Sequence, residues 1–246
     1  MIIFPMAGQS KRFSQKGYAV PKFMLPLWGG HVFDFAVSSF APVFADVPFL
    51  FIYRESGNVR PFLDARVAAL GISDARFIKL EQMTGGQAET VALGVGQAGV
   101  PDDAPLTIFN IDTFRNPRAS PIAFPSGQSG WLEVFRGAGE NWSFVRPSAI
   151  SPGFADETAE KVAISDLCST GLYHFASAAL FRQAFDQERK KPSAAELYIA
   201  PVYNHLIRDG HLIGYGLVAQ QDLVFCGVPD EYETLIEADD PWQGVR

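Results

Sequence analysis

The residues best placed to do chemistry lie near the start of the chain. Ala7-Gly8-Gln9-Ser10-Lys11-Arg12-Phe13 follows an apolar run, Ile2 to Met6, and Lys22 follows Pro21 soon after. A small-residue turn at the carboxyl end of a first parallel strand is where α/β folds place ligands. Gly8 lets the backbone approach an anion, and successive N–H groups there can form an anion-binding nest. Lys11, Arg12 and Lys22 around that turn suit a triphosphate, and they equally suit a solvated basic loop. The segment matches neither G-x-G-x-x-G nor G-x-x-x-x-G-K-[ST], which speaks against a dinucleotide-binding dehydrogenase and a P-loop NTPase.

A carboxylate comes next. Asp112 closes Asn110-Ile111-Asp112 after another apolar run. Near the first turn it could hold Mg²⁺ on a triphosphate, because Mg²⁺ takes one or two protein carboxylates plus phosphate oxygens and water. Asp after a strand is also a common turn residue. Taken alone, Gly85-Gly86 reads as a loop capping a helix from Gln87, and Glu160-Lys161 reads as an exposed charged pair. His31, His174, His205 and His211 are scattered without ligand spacing. Trp131 and Trp142 read as packing residues or as the lining of a pocket.

These side chains need a scaffold, and the apolar pattern supplies one. Short β-branched or aromatic runs at Ile2 to Met6, Phe49 to Tyr53, Arg76 to Leu80 and Leu106 to Ile111 have strand length and little alternation. Such runs suit strands covered on both faces, as in a parallel sheet. Helical spacing falls between them, at Val32 to Phe40, Val59 to Leu70 and Gln87 to Ala98, the last weakened by Gly94 and Gly96. The alternation predicts a doubly wound α/β core. Beyond it, Gly130 to Phe135, Trp142 to Val145 and Thr170 to Phe175 predict strands, the first two with no long helix between them. That pattern predicts a mixed extension of the sheet with antiparallel pairing. Helices are expected at Ala176 to Glu188, Ala194 to Arg208 and Pro229 to Glu237. Late strands are expected at Leu212 to Ala219 and Asp222 to Phe225, with a turn at Gln220-Gln221. Arg115 to Gly130, rich in Pro, Ser and Gly, is the best loop or lid.

Composition bounds the class. The chain has 246 residues, 48% of them hydrophobic, with 21 Phe and a formal net charge of −7. It can bury enough apolar surface to fold, and its length suits one domain, 1–246, with a nucleotide half over 1–112 and an acceptor half over 113–246. An acidic balance argues against general nucleic-acid binding but leaves room for a local phosphate site. Cys168 and Cys226 are too few for a disulfide scaffold and read as buried thiols. No run reaches bilayer-spanning length, and the start lacks the basic region of a signal peptide. A soluble cytoplasmic protein that could form a homo-oligomer is expected.

Pro5-Met6-Ala7-Gly8-Gln9-Ser10-Lys11-Arg12-Phe13, followed by Pro21-Lys22-Phe23-Met24-Leu25-Pro26-Leu27, resembles the signature A-G-x-G-x-R…P-K of nucleotidyltransferases that make nucleotide-diphospho-sugars. Ser10 stands where that signature has its second glycine. Glu81 to Val91 looks like the family's Q-x-x-x-G-T-A segment, and Glu160-Lys161 with Ser169-Thr170-Gly171-Leu172-Tyr173 resembles its E-K-P segment and the strand after it. Val162 replaces the Pro.

The resemblance implies a Rossmann-like mixed, mostly parallel sheet and nucleotidyl transfer from an NTP to a sugar 1-phosphate or similar acceptor, with release of pyrophosphate. It implies triphosphate contacts from Ala7, Gly8, Ser10 and Lys11, and nucleobase contacts from Gln82 and Gly86. It places catalytic charge on Arg12 and Lys22, Mg²⁺ on Asp112, and the acceptor on Glu160, Lys161 and Gly171. It also suggests a place in surface-polymer synthesis. The length fits a catalytic core and leaves no room for the extra C-terminal domain some relatives carry. One departure stands out. Relatives often read W-x-D-x-G-T-P, whose Asp is a second metal ligand, whereas here Leu223-Val224-Phe225-Cys226-Gly227-Val228-Pro229 puts Phe225 at that place. Either the metal relies on Asp112, phosphate and water, or another carboxylate stands in: Asp222 and, less directly, Asp166 are the candidates, although an offset of three reverses side-chain direction in a strand. A non-catalytic nucleotide- or sugar-binding module is one rival reading. A nucleotide-sugar-dependent glycosyltransferase is another, but Asn110-Ile111-Asp112 lacks the first Asp of D-x-D.

Overall fold

Strands buried on both faces build the centre of the molecule. The computed structural model describes residues 1–118, 124 and 126–243. Its first part runs β1 (Ile2–Met6), α1 (Lys11–Gln15), the short strands β2 (Pro26–Leu27) and β3 (Gly30–His31), α2 (Val32–Ser38), β4 (Phe49–Tyr53), α3 (Val59–Leu70), β5 (Ala75–Lys79), α4 (Gln87–Gln97) and β6 (Leu106–Phe109). It continues through β7 (Thr113–Arg115), β8 (Gly130–Arg136), β9 (Ser143–Pro147), β10 (Ala155–Glu160), β11 (Leu167–Phe175), α5 (Ala178–Lys190), α6 (Tyr203–Arg208), β12 (Ile213–Leu217), β13 (Leu223–Phe225) and α7 (Pro229–Ile236).

The strands β5, β4, β1 and β6 lie side by side and parallel. β11 joins β6 antiparallel, β8 and β9 flank β11, β10 edges β9, and β12 runs parallel to β8. This is the doubly wound, mixed sheet expected. The winding direction reverses between β1 and β6, which makes their carboxyl ends the switch point where such folds bind ligands.

The 21 phenylalanines find their use on one face of that sheet. Phe4, Phe49, Phe51 and Phe109 point to one side, while Ile3, Leu50, Ile52 and Ile108 point to the other. Cross-strand register sets Phe4 beside Phe51 and Phe51 beside Phe77. Their rings stack at 5.6 Å in both pairs, with interplanar angles of 15° and 23°. Pairs of this kind add about 0.5–1.5 kcal/mol each beyond area burial. Phe33 and Val37 of α2 and Leu63 of α3 cover the aromatic face. Val91 and Val95 of α4 and Phe181 of α5 cover the aliphatic one.

Two expectations are corrected, and one strand was unforeseen. The helix expected over Ala194 to Arg208 is a single 3₁₀ turn at Ala200–Val202 followed by α6. Leu197, inside the expected helix, instead donates to Gly85 O (2.9 Å) and accepts from Ala88 N–H (2.8 Å), so tertiary hydrogen bonds override local propensity. β10 was not foreseen, because Ala-Asp-Glu-Thr-Ala-Glu has little apolar character; it is held by pairing with β9 and by Thr158 Oγ1 donating to Ala200 O (2.5 Å). Arg115, the first residue of the expected loop, ends β7 and forms a buried ion pair with Glu133 at 2.7 Å. Residues 119–123 and 125 of that loop lie outside the described residues. Cys168 and Cys226 are buried free thiols, and among the described residues no helix is long and apolar enough to cross a membrane.

Candidate active site

A cleft of about 820 Å³ opens at the carboxyl ends of β1 and β6 and extends to the antiparallel strands. The turn after β1 forms one wall. Ser10 is left-handed there, with φ 50° and ψ 38°, immediately before α1. Such a conformation is uncommon and costly for a residue with a Cβ, and it occurs where the family signature has glycine. Ser10 gives something back, since its Oγ accepts a hydrogen bond from Lys22 N–H at 3.3 Å. That bond ties the turn to the Pro21-Lys22 segment. Ala7, Gly8, Ser10, Lys11, Arg12 and Lys22 all line the cleft. The Lys22 ammonium donates to Asp112 Oδ2 from across the switch point.

The loop after β5 forms the roof. Gly86 lines the cleft, and Gln82 does not. A Cβ on Gly86 would lie 2.5 Å from the Leu197 backbone, so only glycine permits the two hydrogen bonds that clasp Leu197 to this loop. Gln87 lines the cleft in place of Gln82, and its Nε2 donates to Asn110 Oδ1 at 2.6 Å.

The opposite wall is made of side chains from β9, β10 and β11. Glu160 lines the cleft and accepts from the Ser143 hydroxyl, which itself accepts from Tyr173 Oη at 3.3 Å. Burial raises the Glu160 carboxyl above its ordinary range, against the opposing pull of Ser143 and Lys161. Lys161 has a left-handed backbone, φ 58°. Its ammonium donates to Tyr198 Oη at 2.6 Å, and Tyr198, not Lys161, reaches the cleft. Gly171 sits where the β11 register shifts between Ser169 and Tyr173. Its φ is +90°, and a side chain there would collide with Asn110.

The acidic groups are arranged differently from the sequence expectation. Phe225 packs on Trp142 (4.7 Å between centroids) and on Phe135 (5.2 Å), and with Trp142 it gives the cleft an aromatic wall. Asp222 accepts from Asn116 at 2.9 Å, and Asp166 pairs with Arg136 at the surface. Neither lines the cleft. Glu231 does. Its Oε2 accepts from Gly227 N–H (2.7 Å) and Val228 N–H (3.2 Å) at the start of α7. A Cβ on Gly227 would stand 3.3 Å from Asp112 Oδ2 and 3.6 Å from Glu231 Oε2, so Gly227 separates the two carboxylates. Cys226, between them in sequence and buried, has its thiol pushed up to about 12 by burial and then by Asp112. Among the described residues no cluster of three or more His, Cys, Asp or Glu could hold a metal ion. Two carboxylates without a third suit Mg²⁺ that arrives with phosphate oxygens and water.

The sequence reading missed Glu231, Ser143, Gln87 and Tyr198. Only Glu231 carried a legible signal: it stands three residues after Val228, the position from which a Glu reaches back to the helix start.

No family profile and no curated protein matches the chain. Solved structures do. A nucleoside-diphosphate-sugar pyrophosphorylase from Vibrio cholerae RC9 is 44% identical, with 97% of this chain and 100% of that one covered and a TM-score of 0.90. An inositol-1-phosphate CTP transferase from T. maritima shares the fold at 15% identity, covering 100% and 96%, with a TM-score of 0.75. A UTP-bound UGPase from Acinetobacter baumannii does so at 15%, covering 96% and 91%, with a TM-score of 0.67.

Proposed function

The chain belongs to the nucleoside-diphosphate-sugar pyrophosphorylases, and we propose that it joins a nucleoside triphosphate to a sugar 1-phosphate or a similar small phosphorylated acceptor. One observation carries the choice of residues: Arg12 and Lys22 from the start of the chain and Asp112 from the end of the parallel half line one cleft at the switch point of the sheet, facing Glu160 and Trp142. The first 112 residues then hold the nucleotide, and residues 113 onward supply most of the acceptor wall.

In this reading an oxygen of the acceptor phosphate attacks the α-phosphorus in line. The bond from α-phosphorus to its bridging oxygen breaks, and pyrophosphate leaves with the electron pair. The attacking oxygen is already ionised near neutral pH, so no general base is needed. The work of the protein is positioning and charge neutralisation. Lys22 exchanges Asp112 for oxygens of the α-phosphate and the incoming phosphate. Arg12 neutralises the departing β- and γ-phosphates, and the amides around Gly8 and Ser10 hold triphosphate oxygens, with Lys11 at the rim. Mg²⁺, when bound, would neutralise charge between the phosphates, and Asp112 with Glu231 would hold it. Glu160 would accept hydrogen bonds from acceptor hydroxyls, and Trp142 and Phe225 would lie against the acceptor's less polar face. The Lys161 ammonium, held at Tyr198, would reach the acceptor phosphate only by leaving that bond. We extend the reading to the supply of activated units for capsule, lipopolysaccharide or other surface polymers, an extension supported by the motif resemblance.

Pyrophosphate release across a panel of NTPs and phosphorylated acceptors tests the reading. One productive pair is expected. Nucleotide binding with no pyrophosphate from any pair would favour a binding module, and nucleoside diphosphate released from a nucleotide sugar would favour a glycosyltransferase.

A further inference from the structure

Behind the Gly8–Lys11 turn lies a second cavity of about 360 Å³, with the turn as the partition between it and the main cleft. Lys11, Ser14, Tyr18, Arg54, Glu55 and Ser56 line it. Arg54 follows β4 directly. Because β4 runs parallel to β1 with Tyr53 opposite Met6, Arg54 emerges beside the start of the turn.

The guanidinium there is poorly matched by the protein. Arg54 Nε is buried and has no hydrogen-bond partner among the described residues. Among the described residues its one hydrogen bond runs from Nη1 to the thioether sulfur of Met83, a weak acceptor. The neighbouring carboxylate, Glu55, uses Oε1 to accept from Val59 N–H at 2.8 Å, at the start of α3. Lys11 likewise has no ion pair among the described residues. Other cations nearby do: Lys16 is held by Asp230 (2.8 Å) and Glu233 (2.7 Å), and Lys22 by Asp112. A buried charged donor left unmatched is costly, and in an acidic chain carboxylates to match it are plentiful. Lys11 and Arg54 share this cavity with Glu55, yet neither is ion-paired to it among the described residues, and the cations outnumber the one carboxylate. A planar fork beside a point charge is a pairing that recognises phosphate oxygens.

We propose that Arg54 and Lys11 form a phosphate subsite on the far side of the turn, for an anion carrying one or two phosphoryl groups. That anion is either the pyrophosphate product of the nucleotide once it has left Arg12, or a separate phosphorylated molecule. Only the first source rests on the nucleotidyl-transfer reading.

Calorimetric titration of the full chain with inorganic pyrophosphate, and separately with orthophosphate, tests the subsite without any turnover. Arg54→Gln and Lys11→Gln should each weaken binding of at least one anion about tenfold or more, and Arg54→Lys should recover part of it. The KM for pyrophosphate in the reverse reaction then separates the sources. A matching rise in Arg54→Gln, with the KM of the nucleotide sugar unchanged, identifies the nucleotide's own phosphates; an unchanged value with lost anion binding identifies a separate ligand. If Lys11→Gln, whose side chain makes no contact that folding needs, and a folded Arg54→Gln both bind both anions as the native chain does, the subsite does not exist. Failure of the family reaction is distinguishable, because it would leave anion binding sensitive to Arg54 while no NTP and acceptor pair released pyrophosphate.

Discussion

The two walls of the cleft are built on different principles. The wall from the parallel strands is made of a turn, backbone amides and cations: Gly8, Ser10, Lys11, Arg12 and Lys22 fall within 15 residues of sequence. The wall on the side of the antiparallel strands is made of side chains gathered from distant places: Trp142, Ser143, Glu160, Tyr198 and Phe225. A parallel strand ends in a turn whose N–H groups are available, so polyanion binding there is local. An antiparallel strand presents a face of alternating side chains, so recognition there is assembled by tertiary pairing. The first arrangement suits what all NTPs share, and the second suits what distinguishes one acceptor from another.

The sharpest test removes a cation from the first wall. Arg12→Ala or Lys22→Ala should lower turnover by about a hundredfold or more, since charge-stabilising groups of this kind contribute about 3–4 kcal/mol; a pyrophosphate-release assay near native rate for either variant would deny the wall its role in the chemistry. Next in size is the join between the walls. Gly86→Ala drives a Cβ into the Leu197 backbone and should destabilise the fold by about 2–3 kcal/mol, read as a lower denaturant midpoint at constant slope. Glu231→Gln follows. The amide oxygen still accepts from Gly227 and Val228, so the melting temperature should hold. Mn²⁺ binding in the presence of NTP, followed by electron paramagnetic resonance, should weaken about tenfold; unchanged binding would leave Asp112 as the sole carboxylate. On the second wall, Ser143→Ala should raise the acceptor KM severalfold and leave the NTP KM alone, whereas an equal rise in both would erase the distinction between walls. The smallest effect is Glu160→Gln. Burial raises this carboxyl, so the folded state prefers the neutral form. Stability from that preference is full below the ordinary carboxylate range and is lost as pH rises through the raised value. The variant should therefore melt above the native chain near neutral pH, with the gain shrinking in acid.

The same contrast explains what the sequence could tell. β4 at Phe49–Tyr53 and α3 at Val59–Leu70 stand where the apolar spacing placed them, because burial on both sheet faces and on one helix face leaves a local pattern. The turn after β1 was legible for the same reason. β10 was not, because its polar sequence is held in the sheet by β9 and by Asn204, whose Oδ1 accepts from Thr158 N–H at 2.8 Å. Nor was the position of Tyr198 or of Lys161, since the 194–199 segment owes its shape to contacts with a loop more than a hundred residues earlier. Phe225 cannot coordinate a cation, and the carboxylate that lines the cleft beside Asp112 lies six residues on, across the start of α7.

The clasp between Leu197 and Gly85–Ala88 also sets a schedule. The amide of Ala88 and the carbonyl of Gly85 find their partners at Leu197, which leaves the ribosome long after α4 does. At about 5–20 residues per second, the roof of the nucleotide cleft stays unfastened for on the order of ten seconds while the parallel strands are already free to pair. During synthesis the turn after β1 is thus complete well before the pocket above it closes.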